Sequence, residues 1–299
     1  MDALSYKILE PGDDDALKCF LAPRLDSSLF LYSNLLAAGL VDTGEPYSGS
    51  YAAAFDGLDM VAVAGHFWNQ TTVLQAPVQL PALIRLAQQA SGRPLRRLVG
   101  PDGQVVEAIQ ELGLTGAELQ MDESEKLYSL ELSDLIVPDL ITTGRARGRR
   151  IRAEDEELVA EWRLAYYREM HLEEDSDELR EMARRSVKTE IASGRTWIVE
   201  VDDRPVSCTS FNATVRDEGI AGIVQVGGVY TPPDQRSQGY ARAAVAASLL
   251  DARSDGYGKS VLFTGISNTP AQKAYQALGF GLIGSYRITV LRQAIRDMG

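Results

Sequence analysis

The stretch Val229-Tyr-Thr-Pro-Pro-Asp-Gln-Arg236-Ser-Gln-Gly239-Tyr-Ala241 decides how this chain folds. Just before and into it, residues 220–231 (IAGIVQVGGVYT) read as a strand rich in β-branched residues, interrupted by Gly227-Gly228. A glycine pair inside a strand marks a bulge or a close backbone approach. Two prolines then enforce a turn. Downstream, ARAAVAASLLDAR reads as an alanine-rich helix. The spacing Arg236-x-x-Gly239-x-Ala241 therefore falls between a strand and a helix. Such a junction builds an anion cradle. The first-turn amides of a helix have no intrahelical acceptor, and the dipole adds positive charge there. Gly239 removes a side chain so that a phosphate can approach the backbone, while Arg236 organises the loop or adds charge. An ordinary strand–turn–helix connection also uses glycine here, so this spacing alone is a weak motif. Neither G-x-G-x-x-G nor G-x-x-x-x-G-K-[ST] occurs, which excludes those two nucleotide cradles.

Working outward, SVLFT (260–264) is a short buried strand. TPAQKAYQALG (269–279) is a punctuated helix, with Thr269 expected as N-cap, Pro270 in the first turn and Gly279 past the end. FGLIGSYRITVLR supplies one or two final strands. On the other side, residues 154–170 set Leu158, Trp162, Ala165, Tyr166 and Met170 on one helical stripe. A second helix spans 177–192, capped by Asp175 or Ser176. TWIVEV (196–201) and PVSCTSFNAT (205–214) read as strands. The order is helix, helix, three strands, helix, strand, helix, strands.

The first half echoes this order. YAAAFDG, DMVAVAGHFW and TTVLQA read as strands. QLPALIRLAQQASG is a helix, LRRLVG a strand and DGQVVEAIQELGL a helix, and residues 117–132 supply closing strands. A repeat at half the chain length points to a duplicated fold. The expected boundaries are a first domain over 1–135, a proline-, glycine- and arginine-bearing linker over 136–149, and a second domain over 150–299.

Taken together, VQVGGVYT, PPDQR, SQGYA and the downstream SVLFT, Asn268, Tyr275 and LGF resemble the GNAT superfamily of N-acetyltransferases. The resemblance covers about residues 150–290. It implies an α/β (α+β) architecture of two GNAT-like domains, each a mixed, mainly antiparallel sheet flanked by helices. The first half has VLQAPVQLPAL where the cradle would stand, so its copy is degenerate. The resemblance also implies acetyl-CoA as acyl donor. Val229, Tyr230 and Thr231 would pair with the pantetheine amides. Backbone groups over Gln235, Arg236, Ser237, Gln238, Gly239, Tyr240 and Ala241 would hold the pyrophosphate. Asn268 would bond the cofactor arm, and Tyr275 would place its hydroxyl near the sulfur.

The chemistry of acyl transfer to an amine fits these roles. A lysine-like amine has a pKa near 10.4, so on the order of one molecule in a thousand is neutral at pH 7, and a base must take the proton. A tyrosine hydroxyl can donate to a departing thiolate, which makes Tyr275 the expected general acid. Tyr275 also lies on the apolar stripe Ala271, Ala274, Leu278, where it would simply fill a core. Glu169, Glu190 and Glu200 are candidate bases, Glu169 first because its helix borders the expected acceptor cleft. His171 follows closely and is a further candidate, as histidine is the residue type that titrates near neutrality, or it is a surface or capping histidine. The acidic tract 173–178 suits a cationic amine, or is an exposed helix start.

Composition narrows the field. The chain has 299 residues, 30 basic against 42 acidic, and a formal net charge of −12. That balance disfavours nucleic acid as a partner. Two cysteines and two histidines make a metal site an unfavourable reading, and no metal is expected. No apolar run approaches a bilayer span and the start has no leader pattern, so a cytoplasmic protein without membrane contact is expected. A small-molecule amine acceptor leads. A non-catalytic acyl-CoA-binding or regulatory protein and a protein N-acetyltransferase stay open, as does oligomerisation.

Overall fold

The computed structural model describes residues 4–169 and 176–296. The chain divides into two units, residues 1–127 with 284–299, and residues 128–283.

In the first unit the elements run β1 (Ser5–Ile8), α1 (Asp14–Leu21), α2 (Leu25–Ala38), β2 (Gly49–Asp56), β3 (Asp59–Phe67), β4 (Thr71–Gln75), α3 (Leu80–Ser91), β5 (Leu95–Pro101), α4 (Asp102–Glu111) and most of β6 (Leu119–Glu131). Period-two and period-3.6 patterns meet in its core. Ala52 and Ala54 of β2 and Ala62 and Ala64 of β3 face Leu80, Leu83, Ile84 and Ala87, which fall on one stripe of α3. Four alanines on the sheet let that helix lie close. The strand order is β1-β2-β3-β4-β5, followed by β12 (Gly281–Ile295). β4 and β5 are parallel. β12 runs antiparallel to β5, from Tyr286 opposite Pro101 to Val290 opposite Arg97, before a register break. Arg287 pins it, its guanidinium bonding Asp102 at 2.9 Å and Asp122 at 2.8 Å.

In the second unit follow α5 (Asp139–Thr142), β7 (Arg147–Arg150), α6 (Glu156–Glu169), α7 (Asp177–Ser193), β8 (Thr196–Val201), β9 (Arg204–Val215), β10 (Gly222–Tyr230), α8 (Tyr240–Ser254), β11 (Tyr257–Gly265) and α9 (Thr269–Gln276). The strand order is β11-β10-β9-β8-β7, with the end of β6 beside β11. Alternation along the strands sorts two helical layers. Trp197 and Phe211 pack with Val245, Ala246 and Leu249 of α8 and Tyr275 of α9. Their strand neighbours Ile198 and Cys208 pack instead with Val159 and Trp162 of α6 and Val187 of α7.

Several expectations differ from the structure. Residues 136–149 form α5 and most of β7 inside the second unit, where Ala146 is buried in an apolar cluster. Residues 284–299 belong to the first unit, because Leu291 joins its core and β12 lies between β5 and β6 in its sheet. The tract after α4, expected to supply closing strands, is a single 13-residue strand, β6. β1 and α1 carried no reading from the sequence.

Candidate active site

β10 and β11 pair in parallel, shifting register after Gly222 and then running from Ile223 opposite Lys259 to Gln225 opposite Val261, and no pairing follows. Beyond that point β10 also breaks register with β9, at Gln225/Val226 and again between Gly227 and Tyr230. The glycine pair makes this break. A Cβ on Gly228 would stand 2.7 Å from the Arg163 guanidinium, and the residue has φ +57°, where a side chain is strained. Past its bulge, β10 is therefore free of β11, and a cavity of about 550 Å³ opens beside its end. Its size suits a cofactor arm.

The cavity is lined by Val229, Tyr230 and Thr231 from the strand end, by Gln235, Arg236, Ser237 and Gly239 from the turn, and by Tyr240 and Ala241 from the start of α8. Asn268 and Tyr275 of the α9 region complete the expected set, from which only Gln238 is missing. The lining also includes Tyr166, Arg242, Pro270, Ala271 and Ala274, which sequence reasoning did not assign to a site. Tyr166 and Ala271 were legible as apolar stripe positions. Nothing in the stripe said that they border a cavity.

The residues fit a diphosphate. Gly239 has φ +84° and serves as N-cap of α8, and among the described residues no side chain caps that helix. The first intrahelical bond from α8 is Ala243 N–H to Gly239 O at 3.0 Å. The amides before it are the ones a bound anion satisfies. Arg236 and Arg242 add positive charge at the same mouth.

Tyr275 is packed in the core and also borders the cavity. It is 9% exposed and stands edge-on to Phe280 at 6.1 Å. Asn268 rather than Thr269 is the N-cap of α9, its side chain accepting from Ala271 N–H at 3.2 Å. Thr269 is the first helical residue, ahead of Pro270. Asn268 Oδ1 is thus engaged, while its Nδ2 keeps two donors.

Of the candidate bases among the described residues, Glu169 alone lines the cavity. It ends α6 and binds Arg236 Nη2 through both carboxylate oxygens, at 2.7 and 2.8 Å, with each side chain 45% exposed. Arg236 Nε meanwhile donates to Thr231 O at 2.9 Å. The Tyr230 hydroxyl below is pushed above the ordinary phenol range, first by burial and then by the Glu169 charge.

The other two carboxylates have structural partners. Glu190 is held by Arg163 Nη2 at 2.9 Å, by Ser186 Oγ at 3.0 Å and by Thr196 Oγ1 at 2.9 Å. Arg163 is 8% exposed and lies against the Gly228 bulge, so this pair backs the strand end. Burial opposes its charge, but Glu190 more than compensates and holds the guanidinium above its ordinary range. Glu200 is bound by Arg149, which also forks onto Asp155. His171 and residues 173–175 lie outside the described residues. Ser176 caps α7, accepting from Leu179 N–H at 3.1 Å.

Among the described residues no group of three or more His, Cys, Asp or Glu side chains could hold a metal ion. No helix among them is long and apolar enough to cross a membrane.

Residues 157–280 match the acetyltransferase (GNAT) family. Among curated proteins none matches the chain significantly. Solved structures share its fold across nearly its whole length. A Drosophila protein is 12% identical over 96% of this chain and 98% of its own, with a TM-score of 0.65. A GCN5-related N-acetyltransferase from Sphaerobacter thermophilus is 12% identical over 99% and 97%, with a TM-score of 0.58. A tandem GNAT protein from the clavulanic acid biosynthesis pathway is 12% identical over 96% and 98%, with a TM-score of 0.53. The fold is that of the GNAT-superfamily acetyltransferases.

Proposed function

We propose that this chain, whose residues 157–280 form a GNAT-type acyltransferase domain, moves the acetyl group of acetyl-CoA directly to an amine of a small molecule. The observation that carries the reading is the single cavity joining the freed end of β10, the uncapped start of α8 and Tyr275. Acetyl-CoA brings an activated thioester. Backbone groups of Val229, Tyr230 and Thr231 hold the pantetheine arm and orient the thioester carbonyl, and an amide at the bulge steadies its developing negative charge. Arg236, with the backbone over Gln235 to Ala241, takes the pyrophosphate. Asn268 donates from Nδ2 to the arm. Tyr275 donates a proton to the leaving thiolate, and Glu169, the one carboxylate among the described lining residues, accepts the amine's proton, directly or through water.

The first unit reads as a degenerate copy of the same fold. Its order from β1 to α4, strand, two helices, three strands, helix, strand, helix, recurs in the second unit from β7 to α9, as does the parallel pairing of β4 with β5 and of β10 with β11. Where the second unit opens its cavity, the first uses its own groups. Ala76 N–H, just past β4, donates to Gln104 Oε1 at 2.8 Å, and α3 starts at a proline turn.

Thiol release from acetyl-CoA, measured against a panel of primary amines, tests the reading. Tyr275→Phe is expected to lower kcat about a hundredfold, the low end for general acid catalysis, and to leave acetyl-CoA affinity within about threefold. Full turnover by the variant removes Tyr275 from the mechanism. Release with none of the amines removes the proposed reaction.

A further inference from the structure

Arg236 already holds an anion. Its guanidinium takes both oxygens of Glu169 from Nη2. Nε stays on Thr231 O, at the end of β10. A guanidinium donates to carboxylate and phosphate oxygens alike. The pair joins the last residue of α6 to the turn before α8, beside the uncapped helix start that suits a diphosphate. Both partners are nearly half exposed, so their attraction is weak and easily exchanged. A diphosphate brings more charge to the same donors and gains the amides of α8 as well.

Resting on the acetyl-CoA reading above, we infer that Glu169 is an internal stand-in for the coenzyme pyrophosphate. Coenzyme binding transfers Arg236 from Glu169 to the phosphates, and so uncovers Glu169 in the cavity. Before that exchange the carboxylate is paired with Arg236. After it, Glu169 faces the acceptor side as a free anion, suited to an ammonium group and to taking its proton. The ion pair keeps the base covered while no acyl donor is present.

The test is titration calorimetry on the full chain with two probes, coenzyme A and pantetheine, which lacks the phosphates. Glu169→Gln removes the competing charge without changing shape. It is expected to tighten coenzyme A binding about three- to fivefold, the ordinary worth of an exposed ion pair. Pantetheine binding should not move. Arg236→Gln should weaken coenzyme A binding, and adding Glu169→Gln to it should bring no further change, because the two residues then no longer share a partner. Unchanged or weaker coenzyme A binding by Glu169→Gln overturns the inference, as does an equal gain for pantetheine. A wild-type chain that binds no coenzyme A overturns the acetyl-CoA reading itself.

Discussion

Individual side chains show where the chain tolerates electrostatic cost. Buried Arg163 and half-buried Glu190 form a pair under the Gly228 bulge, with Ser186, Thr196 and Ser210 supplying further bonds. Such a pair adds little net stability but is costly to break, so its use here is to place the strand end. In the first unit Glu125 is 7% exposed, and burial raises its carboxyl from 4.5 to about 7, with the Glu123 charge adding to the shift. The folded chain then keeps a proton that the unfolded chain loses between pH 4.5 and 7. Stability contributed by the protonated form is present below that window and is lost as pH rises through it. Glu125→Gln is expected to flatten this dependence and to raise stability at pH 8 by about 2 kcal/mol. Denaturant midpoints at pH 5 and pH 8 check it; equal wild-type midpoints would count against the account.

At the scale of elements, α9 shows how a short helix carries a functional side chain. It has eight residues, too few to be stable alone, and depends on its cap and its packing. Asn268 caps Ala271 N–H, and Gln272 Nε2 donates to Gly265 O and Ile266 O at 3.0 Å, tying the helix back to the end of β11. Asn268→Ala should cost about 1 kcal/mol of stability, and Asn268→Asp should recover most of it, since aspartate caps equally well. Thermal unfolding of the two variants measures this, and equal losses would show that capping is not the role. The sequence made the helix, its proline and its closing glycine legible. The cap was displaced by one residue because Asn and Thr both suit the position, and only the entry angle of the chain chooses between them.

At the scale of the whole chain, the sequence order and the spatial order part company at the last strand. β12 lies between β5 and β6 in the sheet of the first unit although it follows the second in sequence, and it brings Leu291, Arg287 and a bond from Gln88 Nε2 to Ile295 O. The end of β6 lies beside β11 in the second unit. Residues 1–135 alone are therefore expected to lack a closing strand on β5. Deletion of residues 284–299 should expose the β5 amides, and hydrogen exchange should show their protection falling at least tenfold. Unchanged protection there would mean that β12 is dispensable.

The sequence by itself determined the local grammar of this protein. Strand and helix periods, the glycine pair, the proline turn and the Arg236-x-x-Gly239-x-Ala241 junction are all set by neighbours a few residues apart, where sterics and capping act. That was enough to order most of the elements; the family resemblance then pointed to most of the cavity lining, but not to Tyr166, Arg242, Pro270, Ala271 or Ala274. The tertiary structure alone decided what depends on distant partners. It paired the last strand with β5, withdrew Glu190 and Glu200 into ion pairs with Arg163 and Arg149, and set Glu169 against Arg236 across 67 residues of chain. Ion pairing and strand pairing act through space with little regard for sequence separation, so no local pattern announces them.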